Sequence, residues 1–79
     1  MDKIFKFLRK RTARERQILT ATVGRIANNQ LDGLDIKKLA GFKNRYRVRV
    51  GRFRIIFDKE RAGNLVIRID EKDDRTYKF

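Results

Sequence analysis

The chain has 79 residues, 22 Lys and Arg against 10 Asp and Glu, a formal charge of +12 and 41% hydrophobic content. That length supports one small domain with a thin core, so residues 1–79 are expected to form a single unit. With neither Cys nor His in the chain, the sequence excludes disulfide frameworks, thiolate or imidazole metal sites and Ser-His triads.

In chain order, residues 2–10 (DKIFKFLRK) place Ile4, Phe5 and Leu8 at helical spacing. A short helix is preferred there, although Ile4 and the Phe residues would also suit a strand. Thr12 to Glu15 (TARE) fits a capping box, in which the Thr12 hydroxyl accepts from the third backbone N–H and the Glu15 carboxylate reaches back to the cap. The helix that follows gathers Leu19, Val23, Ile26 and Ala27 on one stripe, with Ile18 and Thr22 beside it. Arg14, Arg16, Gln17 and Arg25 take the wet side. Asn28-Asn29 is a stop signal, because Asn tolerates left-handed backbone. Two antiparallel helices with a very short joint fit residues 2–29. Between Leu31 and Asn44 the pattern breaks. Gly33 and Gly41 punctuate an extended loop in which Leu34, Ile36 and Leu39 anchor the core.

The period then switches to two. Residues 45–50, 53–58 and 64–69 read as three strands, with Gly51-Arg52 as a two-residue Gly-X hairpin turn and KERAGN as a longer loop. The expected fold class is α+β: two N-terminal helices packed on one face of a small antiparallel β-sheet, a three-stranded meander.

Pairing outward from Gly51-Arg52 sets Val50 against Phe53, Arg49 against Arg54, Val48 against Ile55, Arg47 against Ile56 and Tyr46 against Phe57. Directly opposed residues share a face. Tyr46, Val48, Val50, Phe53, Ile55 and Phe57 therefore cover the helices, extended by Leu65, Ile67 and Ile69. The opposite face collects Arg47, Arg49 and Arg54, with Arg68 joining from the third strand beside Ile56 and Val66. A slip of one residue would bury arginines, so the register is strongly specified. Arg49 opposite Arg54 is a like-charge pair that costs a few tenths to about 1 kcal/mol. Neutral polar residues would cover the same face at lower cost. Guanidinium forks match phosphate geometry, so the cluster reads as an anion site, and the high net charge points to a polyanionic partner. The plain alternative is a solvated face that repels edge-to-edge association.

KLAGFKNRYRVRVGRFRIIF, followed by a third strand and then RTYKF, resembles the RelE/ParE superfamily of toxins from toxin–antitoxin systems. The pattern is K-L-x-G, aromatic-R-x-R-x-G, R-I-I-aromatic and a C-terminal aromatic-K, over residues 34–79. The resemblance implies a ribosome-dependent, metal-independent mRNA endonuclease that blocks translation by attack of a ribose 2′-hydroxyl on the adjacent phosphate. Carried over by position, the catalytic set is Arg47, Arg49, Arg54 and Tyr77, with Arg45, Arg68, Lys72 and Arg75 binding RNA. Arg54, assisted by Arg49, would stabilise the charge built in the transition state. Arg47 would position the backbone or share that task, and Tyr77 would stack on a base or merely plug the C-terminus. A guanidinium holds its proton at neutral pH, so the candidates for a base are a carboxylate or a Lys perturbed by its neighbours, Glu71 or Lys72.

The implied partners are a cognate antitoxin protein, the ribosome and mRNA. No metal, small-molecule cofactor or membrane is expected. With no apolar run long enough to span a bilayer and no signal-peptide pattern, the expected location is the cytoplasm. The sequence departs from the family in opening with a helical rather than a strand pattern, and in the acidic DEKDD segment before Tyr77, where Asp70, Glu71, Asp73 and Asp74 would repel RNA, pair with the arginines or hold the last segment in place. Those departures leave two alternatives open: a ParE-like toxin that poisons gyrase, and a non-catalytic RNA- or ribosome-binding module.

Overall fold

Thr12 has extended backbone and accepts a hydrogen bond from the Glu15 N–H at 3.1 Å, while the Glu15 carboxylate accepts from the Thr12 N–H at 3.2 Å. This capping box separates two helices, α1 (Lys3–Arg9) and α2 (Ala13–Ala27). The computed structural model describes residues 3–71, and four strands follow the helices: β1 (Asp35–Lys38), β2 (Arg45–Val50), β3 (Phe53–Glu60) and β4 (Gly63–Glu71). Among the described residues no helix is long and apolar enough to cross a membrane. Asn28 caps α2, and Asn29 takes the left-handed φ of 57° that turns the chain away from the helix axis.

The sheet has four antiparallel strands in the order β1-β2-β3-β4, which corrects the expected three-stranded meander. The added strand, DIKK, lies within the segment read as an extended loop. Its one apolar residue, Ile36, pairs with Val48 on the covered face. A four-residue edge strand needs one inward side chain only, too little alternation to show as a period of two. Its lysines also suit an edge that must not recruit another chain.

The β2–β3 register is the expected one, with Arg49 opposite Arg54 and Val48 opposite Ile55, around a turn in which Gly51 has a φ of 57°. The β3–β4 hairpin differs in two respects. Glu60 pairs with Gly63, so the turn is the two residues 61 and 62 rather than a longer loop. There is also a bulge: Ile56 pairs with Arg68 but Phe57 with Val66, so Ile67 is the extra residue. Leu65, expected in the core, consequently pairs with Asp58 on the open face and is 52% exposed, while Val66, expected on the arginine face, packs against the core. The same shift brings Asn64 to the helices, where its side-chain amide donates to the Ile26 carbonyl at 2.9 Å. That carbonyl lies in the last turn of α2, where backbone acceptors lack partners within the helix.

The core consists of Leu19, Ile26, Val48, Phe53, Ile55, Phe57 and Ile69, each almost fully buried. Burial of such a side chain contributes about 1.5–3 kcal/mol. Phe7 of α1 meets Phe53 edge-on at 5.9 Å, and Tyr46 stacks on Phe57 at 5.5 Å. At one end the helices are tied to the sheet by charge: Glu15 to Arg52 at 2.7 Å, Arg52 to Glu71 at 3.0 Å and Glu71 to Arg11 at 3.3 Å. Among the described residues the helices cover one face, and the other face carries the arginines.

Candidate nucleic-acid interface

Strand alternation determines what the open face presents. From β1 come Asp35 and Lys37, from β2 Arg45, Arg47 and Arg49, from β3 Arg54, Ile56 and Asp58, and from β4 Arg68 and Asp70. Cations outnumber carboxylates. Arg47, Arg49, Arg54 and Arg68, with Leu39, Ile56 and Asp70, line one shallow depression of about 310 Å³. Leu39 was expected in the core. It sits instead at this rim, its N–H donating to the Arg45 carbonyl at 2.9 Å.

The arginines of the face are in different states. Arg45 forms a fork on Asp58, with contacts of 2.7 and 3.0 Å, and its guanidinium lies 4.5 Å from the centre of the Phe42 ring. The Arg45 hydrogen bonds hold the Asp58 carboxyl below the usual carboxylate range, and the same bonds raise the Arg45 pKa. Arg45 is thus committed to a structural pair at the end of the face.

Arg54 forms a second fork, on Asp70, at 3.0 and 3.2 Å. Arg68 Nε makes an ion pair with the same carboxylate at 3.0 Å. Arg47 is the most enclosed: its side chain is 13% exposed, and Nη1 lies 3.6 Å from Asp35 Oδ1, too long for a hydrogen bond. Among the described residues this buried Nη1 has no hydrogen-bond partner. A buried donor without an acceptor is costly, and the ion pair with Asp35 offsets part of that cost. Arg49 is exposed and makes no ion pair among the described residues.

The structure therefore gathers Arg47, Arg49, Arg54 and Arg68 in one depression and sets Arg45 apart on Asp58. Lys72, Arg75 and Tyr77 lie outside the described residues. Glu71, one of the two candidate bases, faces the helices and pairs with Arg11 and Arg52, so it is not on the arginine face. Of the acidic segment, Asp70 is the carboxylate that pairs with the arginines of the face; it is two residues from Arg68, and residues two apart on a strand share a side. Among the described residues no group of three or more metal-ligating side chains is placed to hold a metal ion.

No family model matches the chain, and no curated protein matches it. Among solved structures, the chain is similar to one in the crystal structure of a RelB–RelE antitoxin–toxin complex from Methanococcus jannaschii. The TM-score is 0.70 and the sequence identity 28%, over 85% of this chain and 81% of that one.

Proposed function

We propose that the protein is the toxin component of a toxin–antitoxin pair and acts as a ribosome-dependent, metal-independent mRNA endonuclease. The likeness to a chain of the RelB–RelE complex links it to toxin–antitoxin systems in general. The toxin side of such a pair is supported by the sequence pattern of residues 34–79 and by an arginine-lined open face. The single observation that carries the reading is the depression in which Arg47, Arg49, Arg54 and Arg68 converge.

In the proposed reaction the ribose 2′-oxygen attacks the adjacent phosphorus and the P–O5′ bond breaks. One product ends in a 2′,3′-cyclic phosphate and the other begins with a 5′-hydroxyl. The 2′-hydroxyl gives up a proton and the departing 5′-oxygen gains one. Guanidinium groups keep their protons at neutral pH and are poor at both tasks. Lys72 is the base in this reading, because Glu71 is turned to the other face. Negative charge grows on the non-bridging oxygens of the phosphate. Arg54 and Arg49, opposed across two strands, stabilise it from fixed positions, and Arg47, which lines the same depression, adds positive charge beside them. Tyr77 stacks on a base or bonds the reacting nucleotide. An antitoxin neutralises the protein by covering basic surface.

The test is 5′-end mapping of a defined mRNA in a reconstituted translation mixture, with and without ribosomes. Cuts that appear only with ribosomes support the reading. Intact mRNA beside folded protein contradicts it, and inhibition of gyrase supercoiling by the same preparation would establish the ParE-like alternative.

A further inference from the structure

Asp70 is an anion already bound by the site. Its Oδ1 accepts from Arg54 Nε at 3.0 Å and its Oδ2 from Arg54 Nη2 at 3.2 Å, and Oδ2 also makes an ion pair with Arg68 Nε at 3.0 Å. Two guanidiniums thus converge on one carboxylate, at the edge of a depression that also holds Arg47 and Arg49. A phosphodiester presents two non-bridging oxygens at a spacing close to that of a carboxylate, and takes the same fork.

We propose that Arg54 and Arg68 form a phosphate seat that Asp70 occupies in the free protein, and that an RNA phosphate takes by displacing the Asp70 carboxylate. The inference rests on the reading of this face as an RNA interface and adds to it a self-occupied subsite. The geometry favours displacement over permanent pairing. Arg68 is 70% exposed and Arg54 34%, so the carboxylate is held by partly solvated partners that exchange at little cost. The other fork on the face differs. The Arg45–Asp58 pair has the shorter contact, 2.7 Å, and Arg45 is also braced by the Phe42 ring. Asp58 does not line the depression, whereas Asp70 does. The seat also has a consequence for discrimination. Binding must replace one anion by another, so a weakly charged ligand gains nothing there. An RNA backbone, which engages Arg47 and Arg49 at the same time, gains the net difference.

The experiment measures binding of a short oligouridylate to full-length protein without ribosomes, as a function of salt, for wild type, Asp70→Asn and Asp58→Asn. The two variants change the charge of the same face equally. Asp70→Asn is expected to tighten binding about three- to tenfold, and Asp58→Asn by markedly less. The salt slope of Asp70→Asn should also steepen, because an incoming phosphate meets arginines that no longer carry an internal counter-ion. Equal tightening by the two variants would mean that only net charge matters, and would overturn the proposal. So would weaker binding by Asp70→Asn, which would make Asp70 a holder of Arg54 in its binding position.

If Asp70→Asn fails to fold, it is replaced by Arg68→Gln and, as an equal charge change outside the depression, Arg61→Gln in the turn between β3 and β4. Loss of affinity confined to Arg68→Gln supports the seat, and equal loss overturns it. Cleavage does not enter this assay. Tightening by Asp70→Asn with no ribosome-dependent cutting would retain the seat and remove the nuclease reading.

Discussion

Arg49 on β2 and Arg54 on β3 stand directly opposite each other on the face turned away from the helices. Nothing in the core requires this pair. Like charges across a strand pair oppose sheet formation, and the proposed anion site is the reading that accounts for the arrangement. Asp70 moderates it by pairing with Arg54 from the next strand, and Arg49 is left exposed.

Arg49→Thr should therefore stabilise the protein while impairing it. Removal of the repulsion is expected to raise the unfolding free energy by about 0.2–1 kcal/mol in urea melts. Ribosome-dependent cleavage is expected to fall by roughly tenfold or more, because a positioned donor for the developing charge is lost. A variant both less stable and fully active would break the link between strain and function.

Asp58 gives a pH dependence of known sign. Its carboxyl is held low by the Arg45 hydrogen bonds. A folded value below the unfolded one means that this contribution to stability is fully present above the unfolded Asp value of about 3.9, and is lost as pH falls through the lower folded value. Asp58→Asn should remove that part of the acid limb and leave the neutral-pH limb without slope from this group. Urea melts of the two proteins across the acid range check it, and parallel acid limbs would refute the assignment.

Asn64 ties the bulged strand to the end of α2. Asn64→Ala leaves the Ile26 carbonyl without its side-chain donor, although Asn29 still donates to it from its backbone at 3.0 Å. The expected loss is about 0.5–1.5 kcal/mol in chemical denaturation. Deletion of Ile67 removes the bulge but keeps Val66 opposite Phe57, Leu65 opposite Asp58 and Asn64 opposite Lys59, so Leu65 should stay on the open face and the Asn64 contact should survive.

Thr12→Ala and Glu15→Gln separate the two roles of the capping box. The first is expected to cost about 1 kcal/mol, because the Glu15 N–H loses its acceptor. The second keeps an acceptor for the Thr12 N–H but ends the ion pair with Arg52, and should cost under about 1 kcal/mol, less still at high salt. Thermal melts at two ionic strengths separate the cases.

Much of this was legible in the chain. TARE specified the start of α2 because a capping box is local and its partners are three residues apart. The β2–β3 register followed from strict alternation around a Gly turn, since a slip would bury Arg47 and Arg49. The parts that escaped depend on information not held in a short window. The β1 strand has one inward residue, Ile36, and is defined by its neighbour β2. The Ile67 bulge sits in NLVIRI, where apolar residues occupy both parities, so either Leu65 or Val66 could have faced inward. Pairing with the arginines is one of three readings of the acidic segment, but that Asp70 takes Arg54, sixteen positions away, depends on the β3–β4 register. Glu71, one residue away, turns to the opposite side for the same reason.

The most direct test of the central claim is 5′-end mapping of one mRNA in reconstituted translation, comparing wild type with Arg54→Ala after both are shown to be folded. The account predicts in-frame cuts that require ribosomes and fall on the order of a hundredfold in the variant. Cuts of equal intensity with Arg54→Ala would remove the arginine face from the chemistry. No cuts by folded wild-type protein would remove the nuclease itself.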